Sequence, residues 1–115
     1  MTELIEASKK GDAAKVKLLL DKGAPLDVQD EEGSTALHWA SKYGRKEVVQ
    51  LLLDKGASLD VQDKYGGAAL HLASEKGHKE VVRLLLDKGA SLDVLDYDGW
   101  TALHLAACKF CNPGA

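Results

Sequence analysis

At 115 residues, 45% of them apolar and 29% charged, the chain suffices for one compact domain of ordinary globular balance. Its net charge of −3 excludes the basic footprint of a nucleic-acid binder and is too mild for an acidic tail. No apolar run reaches membrane-spanning length, and MTELIEASKKGDAA lacks a secretory apolar core. Two cysteines confined to the last eight residues make no disulfide framework, so the expected compartment is the reducing cytoplasm or nucleus.

Residues 1–30 open with a helical stretch whose Glu3, Glu6, Lys9 and Lys10 predict a wet outer face. This unit lacks the motif and hairpin of the later ones and reads as an N-terminal cap. In residues 31–63, Thr35 is a candidate N-cap for a short helix to about Tyr43, ended by Gly44. Leu37, Ala40 and Ser41 give that helix one narrow face of small or apolar groups. A second helix follows from about Lys46 to Asp54, closed by Gly56. Its Val48, Val49, Leu51, Leu52 and Leu53 are too apolar to face water, so the helix is expected to be sandwiched. Ser58 to Gly66 loops onward, with Asp60, Asp63 and Gly66 as turn residues. Residues 64–96 repeat this plan, with a leucine-rich helix at 79–87 and with Ala68 where Thr35 stood. That exchange removes a cap worth about 1 kcal/mol. From Tyr97 the plan restarts and then fails. Asn112-Pro113-Gly114 stands where a second helix would begin, leaving 97–115 as a truncated unit.

LLLDKGA recurs at Leu18–Ala24, Leu51–Ala57 and Leu84–Ala90, each time 33 residues on, and residues 31–63 match 64–96 at 23 positions. Thr35-Ala36-Leu37-His38-Trp39-Ala40, Ala68-Ala69-Leu70-His71-Leu72-Ala73 and Thr101-Ala102-Leu103-His104-Leu105-Ala106 keep the same period. A 33-residue period with a T-P-L-H-x-A signature marks the ankyrin-repeat family, which this chain resembles over nearly its whole length. Glycines Gly11, Gly44 and Gly77 between helices, and Gly23, Gly56 and Gly89 after them, agree. The signature proline is Ala36, Ala69 and Ala102 here, a cheap exchange at a first helical position. The resemblance implies an all-α solenoid of stacked helix-turn-helix units with β-hairpin-like loops, forming a single domain over 1–115.

The two full units differ at 31, 32, 34, 35, 39, 42, 43, 45, 50 and 62. Six of these, Glu31, Glu32, Ser34, Lys42, Tyr43 and Arg45, lie at the hairpin tip or the surface end of the first helix. Against them stand Lys64, Tyr65, Gly67, Glu75, Lys76 and His78. A fixed frame thus carries varying side chains that are expected to project. The resemblance implies that such positions line a concave groove where protein partners dock. The expected partner-binding set is Glu31, Glu32, Ser34, Trp39, Lys42, Tyr43, Lys64, Tyr65, Glu75, Lys76, Tyr97, Asp98 and Trp100, against the alternative of drift on a solvated surface. Tyr and Trp are favoured interface anchors, although Trp100 serves equally as a cover for the end of the stack. Acidic Asp30, Glu31, Glu32, Asp63, Asp96 and Asp98 crowd the hairpin side. Basic Lys42, Arg45, Lys46, Lys76, His78 and Lys79 crowd the helix-turn side.

Chemistry is not expected. His38, His71 and His104 sit in adjacent units, and packed helices about 8–10 Å apart cannot share one ion, so each is expected to hydrogen-bond within and between units. Cys108 and Cys111 share a helical face with His104 but supply three ligands where a structural zinc wants four. No phosphate-binding glycine motif occurs among the 11 glycines. Neither enzyme activity nor a cofactor, metal, nucleic acid or membrane is implied. A second reading remains: a self-assembling or consensus-like engineered scaffold without a natural client. It would associate, as a homodimer for example, through the edge left by the missing last helix, where Trp100, Leu105 and Phe110 lie.

Overall fold

A computed structural model describes residues 3–91 together with Val94, Gly99 and Thr101. Six helices are described: α1 (Glu3–Lys10), α2 (Ala13–Asp21), α3 (Ala36–Lys42), α4 (Lys46–Asp54), α5 (Ala69–Glu75) and α6 (Lys79–Asp87). They pair as α1–α2, α3–α4 and α5–α6. The first helices α1, α3 and α5 pack side by side in one layer, and α2, α4 and α6 form a second. The fold is the expected all-α repeat, and no strand occurs among the described residues.

The ends of α2, α4 and α6 are written in the repeated string. At the end of α4, Gly56 N–H donates to Leu53 O at 3.0 Å and Ala57 N–H to Leu52 O at 3.0 Å. This is a Schellman ending, in which a left-handed glycine satisfies the last carbonyls. Gly56 has φ of +90°, and buried Ala57 supplies the apolar contact that follows such an end. The same bonds recur after α2 and α6, so LLLDKGA is an apolar turn plus its terminator.

Burial follows the expected faces. Leu37, Ala40 and Ser41 are fully buried, as are Val48, Val49 and Leu52. Leu51, at the edge of α4, is half-buried. The small first-helix face lets the layer close, but the hydroxyls of Ser8 and Ser41 are buried there without a hydrogen-bond partner.

The helix starts also explain the signature. Thr35 caps α3, its Oγ1 accepting from His38 N–H at 3.4 Å. The His38 ring returns the bond, Nδ1 accepting from Thr35 N–H at 3.0 Å. An Nδ1 that accepts from a backbone N–H leaves the ring proton on Nε2. That Nε2–H donates to Gly67 O of the next unit at 2.9 Å. One histidine therefore closes its own helix and ties two units together. Ala68 makes no side-chain cap on α5, while His71 Nδ1 still accepts from Ala68 N–H at 3.1 Å.

Candidate partner-binding groove

The loops before α3 and α5 shape one wall of a groove. In the first, Asp30 N–H donates to Ser34 O at 2.9 Å and Gly33 N–H to Asp30 O at 2.9 Å, closing a hairpin-like turn. Asp63, Gly66 and Gly67 repeat it. The tips are joined by Lys64 N–H to Glu32 O at 2.9 Å and by a 2.9 Å ion pair between the Lys64 and Glu32 side chains. The opposite wall is the C-terminal end of α3 and α5. Between them lies a pocket of about 200 Å³ lined by Glu32, Ser34, Trp39, Lys42, Asp63, Tyr65, Leu72, Glu75 and Lys76.

Seven of those nine residues belong to the expected partner-binding set. The other two are Asp63, expected on the acidic hairpin side, and Leu72, which the sequence reading did not single out. Leu72 is the equivalent of Trp39 one unit on, so the period alone points to it.

Trp39 is held in place on several sides. Its indole N–H donates to Asp30 Oδ2 at 2.7 Å. Its ring stacks on Tyr43 at 5.9 Å between centroids, tilted 20°. Lys9 Nζ lies 4.2 Å and Lys42 Nζ 5.0 Å from its centroid, within cation–π range. Beside it Tyr43 is 46% exposed and Tyr65 62% exposed. An aromatic group fixed before binding loses little freedom on contact. Nothing in the sequence pairs Lys9 with Trp39. That contact arises because α1 packs against α3.

Electrostatics fall into two kinds. Burial pushes the Asp30 carboxyl up, but hydrogen bonds from Ser34 N–H, the Trp39 indole and Glu32 N–H, with the Lys9 charge, outweigh it and hold it below the usual range. Lys64 is raised by its bond to Glu32. Burial pushes the His38 imidazole below its usual value, against the opposing bond to Gly67 O and the Asp63 charge.

Several expectations are corrected. Ser34 does not project: it is 6% exposed, and its N–H donates to Asp30 Oδ1 at 3.0 Å. Arg45 and His78 are turned back onto the preceding unit. Arg45 Nε–H donates to Lys9 O at 3.0 Å, and His78 Nε2 lies 2.9 Å from Lys42 O. Both bind the free carbonyls at the end of a first helix. Asp63 is no open acidic wall either, being buried with Tyr65 N–H and Gly67 N–H on its Oδ1, both at 2.9 Å.

Glu31, Lys64, Glu75 and Lys76 are exposed as expected, and Glu32 and Lys42 are half-buried. Tyr97, Asp98 and Trp100 lie outside the described residues, as do Asp96, His104, Leu105, Cys108, Phe110 and Cys111. His38 bonds as expected within and between units. Among the described residues no group of three or more His, Cys, Asp or Glu is placed to hold a metal. No described helix is long and apolar enough to cross a membrane.

A larger depression, about 670 Å³, lies on the outer layer, floored by Ala13, Ala14, Leu51 and Leu84. Of its lining pairs in the two full units, only Gln50 and Arg83 differ, and Lys46 and Glu80 close its rim at 3.1 Å. Variation is concentrated in the smaller groove, which is the better candidate. A family model described as ankyrin repeats, three copies, matches residues 1–63 and 55–113. No curated protein matches the chain.

Proposed function

Since the chain belongs to the ankyrin-repeat family, whose members are protein–protein interaction modules and typically not enzymes, we propose that it binds a protein partner through the groove between its hairpin tips and first helices. The observation that carries this is Trp39, fixed by Asp30, Tyr43 and Lys9 beside the exposed ring of Tyr65. Interface energy concentrates on such aromatic anchors. By the 33-residue period Tyr97, Asp98 and Trp100 correspond to Lys64, Tyr65 and Gly67.

The test is affinity capture with the wild-type chain, a Tyr43→Ala/Tyr65→Ala variant and an outer-layer Gln50→Ala/Arg83→Ala variant. Both tyrosines are largely in solvent, so the fold should persist and unfolding midpoints should stay close. Capture is lost only in the tyrosine variant if the groove is the docking surface. Equal capture by all three sinks the proposal.

A further inference from the structure

We infer that the groove takes an acidic, extended segment of its partner, with one apolar side chain of that segment seated between Trp39, Tyr65 and Leu72. The inference rests on the groove being the docking surface and adds the chemistry of what docks. The carboxylates that face the groove are mostly spoken for. Asp30 holds the Trp39 indole, Asp63 holds two backbone N–H groups, and Glu32 is paired with Lys64 at 2.9 Å. Among the described residues only Glu75 of the lining carboxylates makes no ion pair or hydrogen bond.

Hydrogen bonds aim Asp30 and Asp63 inward without removing their charge, whereas on the helix wall Glu75 is the one described lining anion beside Lys42 and Lys76. Lys42 and Lys76 make no ion pair among the described residues, and Lys9 shares Glu6 at 3.5 Å. A chain of net charge −3 thus presents a locally basic strip along one wall. A partner cation is disfavoured at the aromatic anchor, because Lys9 and Lys42 already lie over the Trp39 ring at 4.2 and 5.0 Å. A partner carboxylate meets both ammonium groups there. Opposed charge of this kind steers encounter and sets orientation.

Size narrows the occupant further. The pocket of about 200 Å³ is below the roughly 300–1,000 Å³ of small-molecule sites, and suits one side chain. Lys42 and Lys76 stand on adjacent first helices, whose axes lie about 8–10 Å apart, and side chains two residues apart in an extended chain share a face about 7 Å apart, so carboxylates two residues apart come within reach of the two flexible lysine stems.

The probe is a capped peptide with two glutamates about that far apart around one phenylalanine, compared with its glutamine and lysine counterparts. Binding is read by fluorescence of Trp39 in a Trp100→Phe chain. The glutamate peptide should bind at least tenfold tighter than the glutamine one. The preference should shrink as ionic strength rises from about 0.01 to about 0.15 M, and Lys42→Glu/Lys76→Glu should reverse it toward the lysine peptide. Equal or tighter binding of the glutamine or lysine peptide overturns the inference, as does no binding of any of them, or indifference to the charge reversal. Should that happen while Tyr43→Ala/Tyr65→Ala still abolishes capture, the groove remains the docking surface and only the acidic partner is lost.

Discussion

The Trp39 indole N–H donates to the Asp30 carboxylate at 2.7 Å, and the other oxygen of that carboxylate accepts from Glu32 and Ser34 N–H at 2.9 and 3.0 Å. One side chain therefore builds the hairpin tip and aims the aromatic anchor. Asp30→Ala should cost about 1–3 kcal/mol, having deleted a charged acceptor with three donors. Trp39→Phe keeps the tip and should cost less. Urea midpoints give the energies, and a red-shifted emission of Trp39 in Asp30→Ala would show the indole released.

Acid should weaken the fold in two stages. The His38 imidazole is held below its usual 6.5 by burial, so the unfolded chain takes that proton more readily. Its contribution is complete above about pH 6.5 and fades as pH falls below that. Asp30, held below its usual 3.8, adds a contribution present above that value and lost as pH falls through the lowered one. Urea midpoints should be level above neutrality, begin to fall as pH drops below about 6.5, and fall again below about pH 4. His38→Gln should flatten the first step. A first step unchanged in that variant would assign it elsewhere.

The N-cap positions of α3 and α5 should respond with opposite signs. Thr35→Ala removes the α3 cap and should destabilise by about 1 kcal/mol, and Ala68→Thr should restore the missing α5 cap and stabilise by a similar amount. Thr35 is itself only 1% exposed, so the site in the frame accommodates threonine. Thermal unfolding of the two variants checks the pair. A destabilised Ala68→Thr would show that the next unit cannot admit the side chain.

Gly44 and Gly56 both have left-handed φ, +69° and +90°. A Cβ on Gly44 would sit 2.6 Å from His78 Nδ1, while one on Gly56 meets nothing within 4 Å. Gly56→Ala should cost about 1 kcal/mol from backbone strain alone. Gly44→Ala should cost more, because the His78 ring must leave Lys42 O. Equal losses in urea unfolding would contradict the contact.

Much of this molecule is legible in its repeat. Two capped helices per unit, the α4 and α6 boundaries and the sandwiched leucines follow from local signals that agree with one another. What was not legible depends on neighbours. Arg45 and His78 vary like surface residues, yet each reaches back about one unit to a helix-end carbonyl. Ser34 varies yet is buried, and Lys9 meets Trp39 only through helix packing. Variation between units marks where identity is free, not which side chains point to solvent.

The most direct test of the groove is amide hydrogen exchange of the chain alone and bound to its captured partner. Protection is expected to increase at residues 30–34 and 63–67 and in the last turns of α3 and α5, with α2, α4 and α6 little changed. Protection gained mainly along α2, α4 and α6, with the tips unchanged, would place the partner on the outer layer and contradict the account.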